Sequence, residues 1–475
     1  MLILTFHIVL VSGVTLRILL RDNLSPTARL AWFAVIMSVP LIGSFIYFLF
    51  GEVHLGKAAE ARHKAVFDSL KAHGRKALGD PVGSHDLVSP GYRSAFEYAA
   101  SISNFQTVPG NRAELMPDAM AARQRLIADI DGATDHVHVL YYIWLDDDTG
   151  TNTARALIRA AQRGVTCRAM ADGLGSKRLL KSKLWQDMRN AGVKLGVALP
   201  IDKPVRTIIK SRLDLRNHRK ITVIDGRITY CGSQNCADPE FRVKAKYAPW
   251  VDIMVRLEGP VVAQNQLLFA SDWLRSTSEE YECFPLLTRQ LENGFAAQVI
   301  GDGPTERLNA TPQLFATLLH AAKHELTIST PYFVPDATVL EALCSAAHRG
   351  VRVTLIFPAN NDSWVVAAAS RSNYLKLLNA GVVIHEFQAG LLHAKTLTID
   401  GQIAFVGSSN MDMRSFNLNF ENDILLQDKE ITEAVRVRQQ GYVAQSRQVR
   451  LADVTEWPAW RRIWNNVIAT IGPVL

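Results

Sequence analysis

A nineteen-residue pattern occurs twice in this chain, and the repetition limits the fold more than any other feature of the sequence. Residues 217–235 read "NHRKITVIDGRITYCGSQN" and residues 392–410 read "LHAKTLTIDGQIAFVGSSN". Both run His-x-Lys, four residues, Asp, six residues, Gly-Ser-x-Asn. The surrounding landmarks recur in the same order. "AAQRGV" (160–165) matches "AAHRGV" (346–351), and "NAGV" recurs at 190–193 and 379–382. A strand-like run precedes each set, "HVHVLYYIW" at 136–144 and "ELTISTPYFV" at 325–334. Glycine after a helical run is a stop signal, so each half reads strand, helix, strand, helix, strand. Alternation of this kind predicts an α/β unit with a largely covered sheet, present in two copies.

Within each block, Asp-Gly sits between two alternating apolar runs, the pattern of a tight β-hairpin. A two-residue turn at Asp225-Gly226 or Asp400-Gly401 pairs His218 with Ser233, Arg216 with Asn235, and His393 with Ser408. Residues two apart on a strand share a face, and so do paired residues. His, Lys, Ser and Asn then project together at one end of the hairpin. Asp225 and Asp400 have the opposite parity, which predicts a buried ion pair or a turn-holding role. Two apposed copies place two imidazoles, two ammonium groups, two hydroxyls and two amides around one cavity. That set fits a phosphodiester. Lys220, Lys395, Asn235 and Asn410 can hold the non-bridging oxygens, where negative charge grows in the transition state. One imidazole can attack phosphorus while the other protonates the leaving alkoxide. His-x-Lys is poor metal-ligand spacing, and neither H-E-x-x-H nor a Cys/His cluster occurs, so no metal or cofactor is expected.

The N-terminus carries a second constraint. Leu30 to Phe50 is a run of 21 residues without a formal charge, and Leu2 to Leu20 is apolar apart from His7 and Arg17. A hydrocarbon core of ~30 Å needs about 20 such residues, so residues 1–50 are expected to form a transmembrane or membrane-inserted helical hairpin. Lys/Arg are denser after the hairpin than in its turn, which favours a cytoplasmic body. The expected divisions are a basic connector over 51–110, a first half over 111–290, a second half over 291–450 and an amphipathic tail over 451–475. Residues 205–217 read as an insertion that the second half lacks. In the tail, Trp460, Trp464, Val467 and Ile471 fall near one helical stripe beside Arg461 and Arg462, which suits either a membrane interface or packing against the body. The net charge of +7 suits nucleic acid, an anionic membrane or phosphorylated substrates alike. Five cysteines without a C-x-x-C pair read as reduced. "DDDTG" at 146–150 reads as a loop and helix cap.

The two blocks match the HKD motif of the phospholipase D superfamily, and the chain resembles the bacterial cardiolipin synthases of that type. Supporting strings are "YYIW" (141–144), "NHRK" (217–220), "STPYFVPD" (329–336), "NMDMRSFNLNFE" (410–421) and the hairpin pattern of Trp32, Pro40, Gly43, Tyr47, Phe50 and Gly51. The resemblance implies a duplicated phospholipase D-type fold with one shared active site. Its catalytic set would be His218, Lys220, Asp225, His393, Lys395 and Asp400, with Ser233, Asn235, Ser408 and Asn410 binding substrate. It further implies a carboxylate downstream of each motif that orients a histidine: Asp252 and Glu421, with Asp423 a rival to the latter. The implied reaction takes two phosphatidylglycerol molecules to cardiolipin and glycerol through a phosphohistidine at the bacterial inner membrane. His218 would be the nucleophile and His393 the acid, then the base. The alternatives are a hydrolase on the same residues, acting on lipid or nucleic acid, and a non-catalytic membrane scaffold. The hairpin disfavours a nuclease and the two intact motifs disfavour a scaffold. Oligomeric state is left open.

Overall fold

A computed structural model describes residues 2–22, 24, 26–51, 61, 65–66, 69, 83–201, 214–277, 279, 286–287 and 289–471. Residues 52–60 and 70–82 of the connector, 205–213 of the insertion and Cys283 lie outside these residues.

Each half builds the same order of strands. In the first, His136–Tyr141, Thr166–Asp172 and Lys194–Ala198 run parallel. In the second, Glu325–Ser329, Arg352–Pro358 and Val383–Phe387 do the same. Near-continuous apolar runs such as "VHVLYYIW" suit strands covered on both faces, and His136–Tyr141 is buried throughout. The helices between these strands end where the sequence predicts. Gly164, Gly192, Gly350 and Gly381 all have φ near +90°, the left-handed stop that a side chain disfavours. "DDDTG" supplies a cap, with Asp147 accepting from Gly150 N–H at the start of helix Asp148–Gln162.

The repeated hairpins attach antiparallel to the leading strand of each half, Ile221–Ile224 to His136–Tyr141 and Thr396–Ile399 to Glu325–Ser329. Their turn differs from the sequence expectation by one residue. Ile224 pairs with Ile228 and Ile399 with Ile403, so the loop is Asp-Gly-x, three residues long. Asp and Gly both take positive φ (51° and 61°; 50° and 63°). The third residue closes the loop, Arg227 N–H donating to Ile224 C=O at 2.9 Å. One extra loop residue shifts every cross-strand pair by one. His218 therefore does not face Ser233, and His393 does not face Ser408.

Each hairpin pairs onward with one more strand, Met254–Glu258 or Asn419–Gln427. The halves then join edge to edge through Val108–Leu115 and Phe295–Asp302, giving one sixteen-stranded sheet among the described residues. The first of these joining strands begins before residue 111, where the first half was expected to start. Helix Val261–Ser276 of the first half packs on Phe295–Asp302 of the second, and helix Lys429–Ala444 of the second packs on Val108–Leu115 of the first. The shared core includes Leu267, Val299, Leu426 and Val435, each 2% exposed or less. Burying such side chains contributes about 1.5–3 kcal/mol each, so the two halves hold each other in register.

The N-terminal region forms a helical hairpin of Leu2–Leu19 against Pro26–Ser38 and Pro40–Ile46, closed by Trp32, Ile36 and Tyr47. The expectation of a transmembrane hairpin needs correction. Among the described residues no helix is long and apolar enough to cross a membrane. The run from Leu30 to Phe50 is not one helix. Val39 leaves helical geometry (φ −139°, ψ 73°) and Pro40 starts a new segment. The residue before a proline is pushed out of the helical region, and the proline ring supplies no N–H.

Candidate active site

The two histidines open onto one cavity of about 430 Å³, which Asn235 and Asn410 also line. His218 enters on a two-residue strand, Arg216–Asn217, that pairs parallel with Asn419 and Phe420 of the other half. His393 follows a matching strand, Leu391–Leu392, that pairs with Trp250 and Val251. Each histidine is thus delivered along the backbone of the opposite half.

The crossing extends to the side chains. His218 Nδ1 lies 2.9 Å from Glu421 Oε2, and His393 Nδ1 lies 2.6 Å from Asp252 Oδ1. Both carboxylates come from the half that does not hold the histidine. A carboxylate on Nδ1 fixes the tautomer and leaves Nε2 for the cavity. Glu421 is held in turn by Ser408 Oγ (2.5 Å), Ser415 Oγ (2.9 Å) and Asn419 Nδ2 (3.1 Å). Ser233 Oγ donates to Asp252 at 2.6 Å. Ser233 and Ser408, expected to bind substrate, instead hold the carboxylates. Asp423 accepts from Ser409 and touches neither histidine.

Asp225 and Asp400 also stand away from the cavity. Asp225 accepts from the N–H groups of Thr134, Asp135 and His136, and from the Thr134 hydroxyl. Asp400 accepts from Lys323, His324 and Glu325 N–H and from Tyr92 Oη. Each pins its hairpin turn to the start of the leading strand. The motif counts them with the catalytic set, but the geometry gives them the turn-holding role that their parity predicts.

Lys220 and Lys395 are 1–2% exposed and donate to the carbonyls of His218 and His393, at 2.5 and 2.6 Å. Burial lowers Lys220 to about 8 and Lys395 to about 7, with the Lys220 ammonium adding to the latter shift. Burial likewise lowers both imidazoles to about 4, helped by the neighbouring lysines and opposed by the carboxylates. Burial works against the Asp252 carboxylate, yet His393 and Lys395 outweigh it and bring the group down to about 2. The imidazoles are therefore neutral at pH 7 and their carboxylate partners are charged.

The amides differ between halves. Asn235 Oδ1 accepts from Ile143 N–H at 3.2 Å, which leaves its NH₂ for a ligand. Asn410 turns its NH₂ to Ser415 Oγ at 3.1 Å and has a buried Oδ1 without a hydrogen-bond partner. Sequence reasoning missed most of the remaining lining. Tyr142 lies 4.9 Å from the His218 ring, and Trp250 lies 4.6 Å from the His393 ring. Arg216, Arg414 and Asn419 also line the cavity. Tyr142, Arg216, Arg414 and Asn419 sit beside or within the strings that flank the motifs, and Trp250 lies two residues before Asp252, so their positions were visible and their direction was not.

Residues 126–273 and 315–440 match the family described as "Cardiolipin synthase, PLD-like domain", and residues 8–52 match the "Phospholipase_D-nuclease N-terminal" family. Cardiolipin synthase A of Serratia proteamaculans is 36% identical over 475 residues, covering 98% of this chain and 96% of that one. Cardiolipin synthase A of Yersinia pestis is 36% identical over 479 residues with the same coverage. Among solved structures, phosphatidylserine synthase of Haemophilus influenzae Rd KW20 superposes with a TM-score of 0.60 at 15% identity, covering 81% of this chain and all of that one, a likeness of fold alone. With two crossed motifs in one α/β body and near full-length relatives, the chain belongs to the cardiolipin synthase family of phospholipase D-like proteins.

Proposed function

We propose that this chain is a membrane-bound phosphatidyltransferase that joins two phosphatidylglycerol molecules into cardiolipin and releases glycerol. The observation that carries the reading is the pair of neutral imidazoles from separate halves, each fixed by the other half's carboxylate, on one cavity.

The first lipid's phosphate sits between the two imidazoles. His218 Nε2 attacks phosphorus while Glu421 takes the growing positive charge at Nδ1. His393 gives a proton to the departing glycerol oxygen. The phosphodiester's own charge favours protonated His393 once substrate is bound. His393 then takes the proton from a head-group hydroxyl of the second lipid, whose oxygen displaces His218. One phosphodiester replaces another, so the exchange has a free-energy change near zero. Arg216, Arg414 and Asn419 gather on the His218 side, whereas Trp250 and Phe241 stack beside His393. The polar side suits the covalent phosphoryl group and supports His218 as nucleophile. Holding the second hydroxyl at the reacting distance supplies up to ~7–11 kcal/mol of the barrier and favours transfer over hydrolysis.

The hairpin is the membrane-inserted element of this reading. Leu16, Leu19, Leu30, Leu41 and Phe45 are each 58–68% exposed, more contiguous apolar surface than a water-facing element usually carries. A hairpin that enters one leaflet and returns keeps the body on the side of its own N-terminus, and the basic flank favours the cytoplasmic side of the bacterial inner membrane. Two halves, the first entered through strand Val108–Leu115 and the second running over 291–450, form the enzyme body, and the end of the 51–110 connector packs into its core through Tyr92, Phe96 and Ile102.

Purified full-length protein given head-group-labelled phosphatidylglycerol in mixed micelles is expected to yield cardiolipin and free glycerol in equal amounts. Phosphatidic acid without cardiolipin would make it a hydrolase. His218→Ala protein is expected to form neither product nor a lipid adduct.

A further inference from the structure

The geometry points to a bilayer-docking face around the mouth of the cavity, formed by helix Ala459–Ile471, the start of helix Trp364–Ser372 and the 243–247 turn. Its partner is the headgroup layer of an anionic membrane. The inference rests on the lipid-exchange reading above and adds where the body meets the lipid.

Helix Ala459–Ile471 has two sides with different fates. Asn465 and Ile468, 4% and 6% exposed, seat it against helix Trp364–Ser372. Trp460, Ile463, Trp464 and Val467 stand 48–69% exposed at spacings of three and four, one continuous stripe. Trp364, 63% exposed, extends that stripe by stacking on Trp464 at 5.7 Å. This patch is at the cavity rim, because Ser363 and Val366 on either side of Trp364 both line the cavity. Asp362, also in the lining, accepts from Lys244 Nζ at 2.6 Å and so ties this lip to the turn that faces it. There Val243 is 48% exposed and Lys246 is exposed as well.

The charge on this rim selects the partner. Residues 459–471 and 243–247 contain no Asp or Glu, and they supply Lys246, Arg461 and Arg462 next to the aromatic stripe. Indole rings flanked by cations match the interfacial layer of a membrane, and Lys and Arg near it are attracted to an anionic surface. A bilayer held at this rim lets a lipid phosphate reach the imidazoles while its acyl chains stay in the leaflet.

The test uses full-length His218→Ala protein, so docking is read without turnover. A nitroxide on Trp464→Cys is compared with one on Val437→Cys, an exposed position on helix Lys429–Ala444. Vesicles contain phosphatidylcholine with or without about a third of an anionic lipid, which gives the surface the negative potential that attracts basic segments. The label at 464 is expected to become at least about fivefold less accessible to a water-soluble nickel relaxant on anionic vesicles, and more accessible to oxygen. The label at 437 should not change. Equal aqueous access at both positions would overturn the proposal. Shielding of position 464 without any vesicles would overturn it too, and would make the stripe a contact between copies of the chain. In the active protein, replacing Trp364, Trp460 and Trp464 by serine together is expected to cut turnover of bilayer substrate about tenfold while leaving turnover of a monomeric short-chain lipid unchanged. Equal losses on both substrates would assign the stripe to folding. Docking without cardiolipin formation would sink the transferase reading alone, and cardiolipin formation with position 464 in water would sink the docking face alone.

Discussion

Glu421 and Asp252 are the residues through which each half governs the other's chemistry. Glu421→Gln and Asp252→Asn keep the shape of the side chain but remove the charge that fixes the Nδ1–H tautomer. Each is expected to lower kcat by about 10²–10⁴-fold with a much smaller change in KM, as measured by steady-state kinetics. The lysines set the alkaline limb. Lys395 loses its proton near pH 7 and Lys220 near pH 8, so kcat/KM, which reports the free enzyme, is expected to fall as pH rises through 7–8. A bound phosphodiester favours the ammonium forms and should move the same limb of kcat to higher pH. Stability has the opposite dependence at low pH. The histidines' folded-state values near 4 lie below the unfolded value of about 6.5. Between those limits the unfolded chain binds more protons, so stability is lost as pH falls from 6.5 to 4. The residue types of the site were legible in the sequence, because His, Lys and Asn repeat at fixed spacing. The resemblance named Asp252 and Glu421 as their partners, but not that each would cross to the other half's histidine. Which carboxylate meets which imidazole depends on two short strands, Arg216–Asn217 and Leu391–Leu392, that pair across the halves. No local pattern encodes such a pairing.

The repeated hairpin shows the same division at the level of elements. Its existence followed from Asp-Gly between alternating apolar runs, and its register did not. A two-residue and a three-residue loop begin with the same dipeptide, and Arg227 or Gln402 decides by continuing the turn. With the register shifted by one residue Ser233 and Ser408 do not face the histidines, and their hydroxyls donate to Asp252 and Glu421. Asp225 and Asp400 accept three backbone N–H bonds each, and such charge-assisted bonds contribute about 1.5–3 kcal/mol apiece where water is excluded. These carboxylates are partly solvated, so the net effect is smaller. Asp225→Ala is expected to destabilise the fold by about 2–3 kcal/mol, seen as a lower midpoint in chemical denaturation, with kcat per folded molecule within a few-fold of the parent. A loss of kcat as large as that of His218→Ala would place Asp225 in the chemistry instead. The N-terminal hairpin was legible as two apolar segments with a polar turn. Pro40 was visible too, but counting apolar residues does not register that it breaks the helix.

For the whole molecule, duplication explains why the site has two of each group and why it lies between the halves. The order of strands followed from the recurring landmarks. The joining of two sheets through Val108–Leu115 and Phe295–Asp302 did not, since nothing in either strand distinguishes pairing across halves from an exposed edge. That union sets the distance between the imidazoles, and with it the reaction. A crystal structure of the full-length protein with vanadate, which adopts the geometry of a five-coordinate phosphorus, tests this most directly. The account predicts vanadium bonded to Nε2 of His218, with the opposite apical oxygen within hydrogen-bond distance of His393 Nε2. Vanadate held by the imidazole of one half alone, with the other imidazole out of reach, would contradict it.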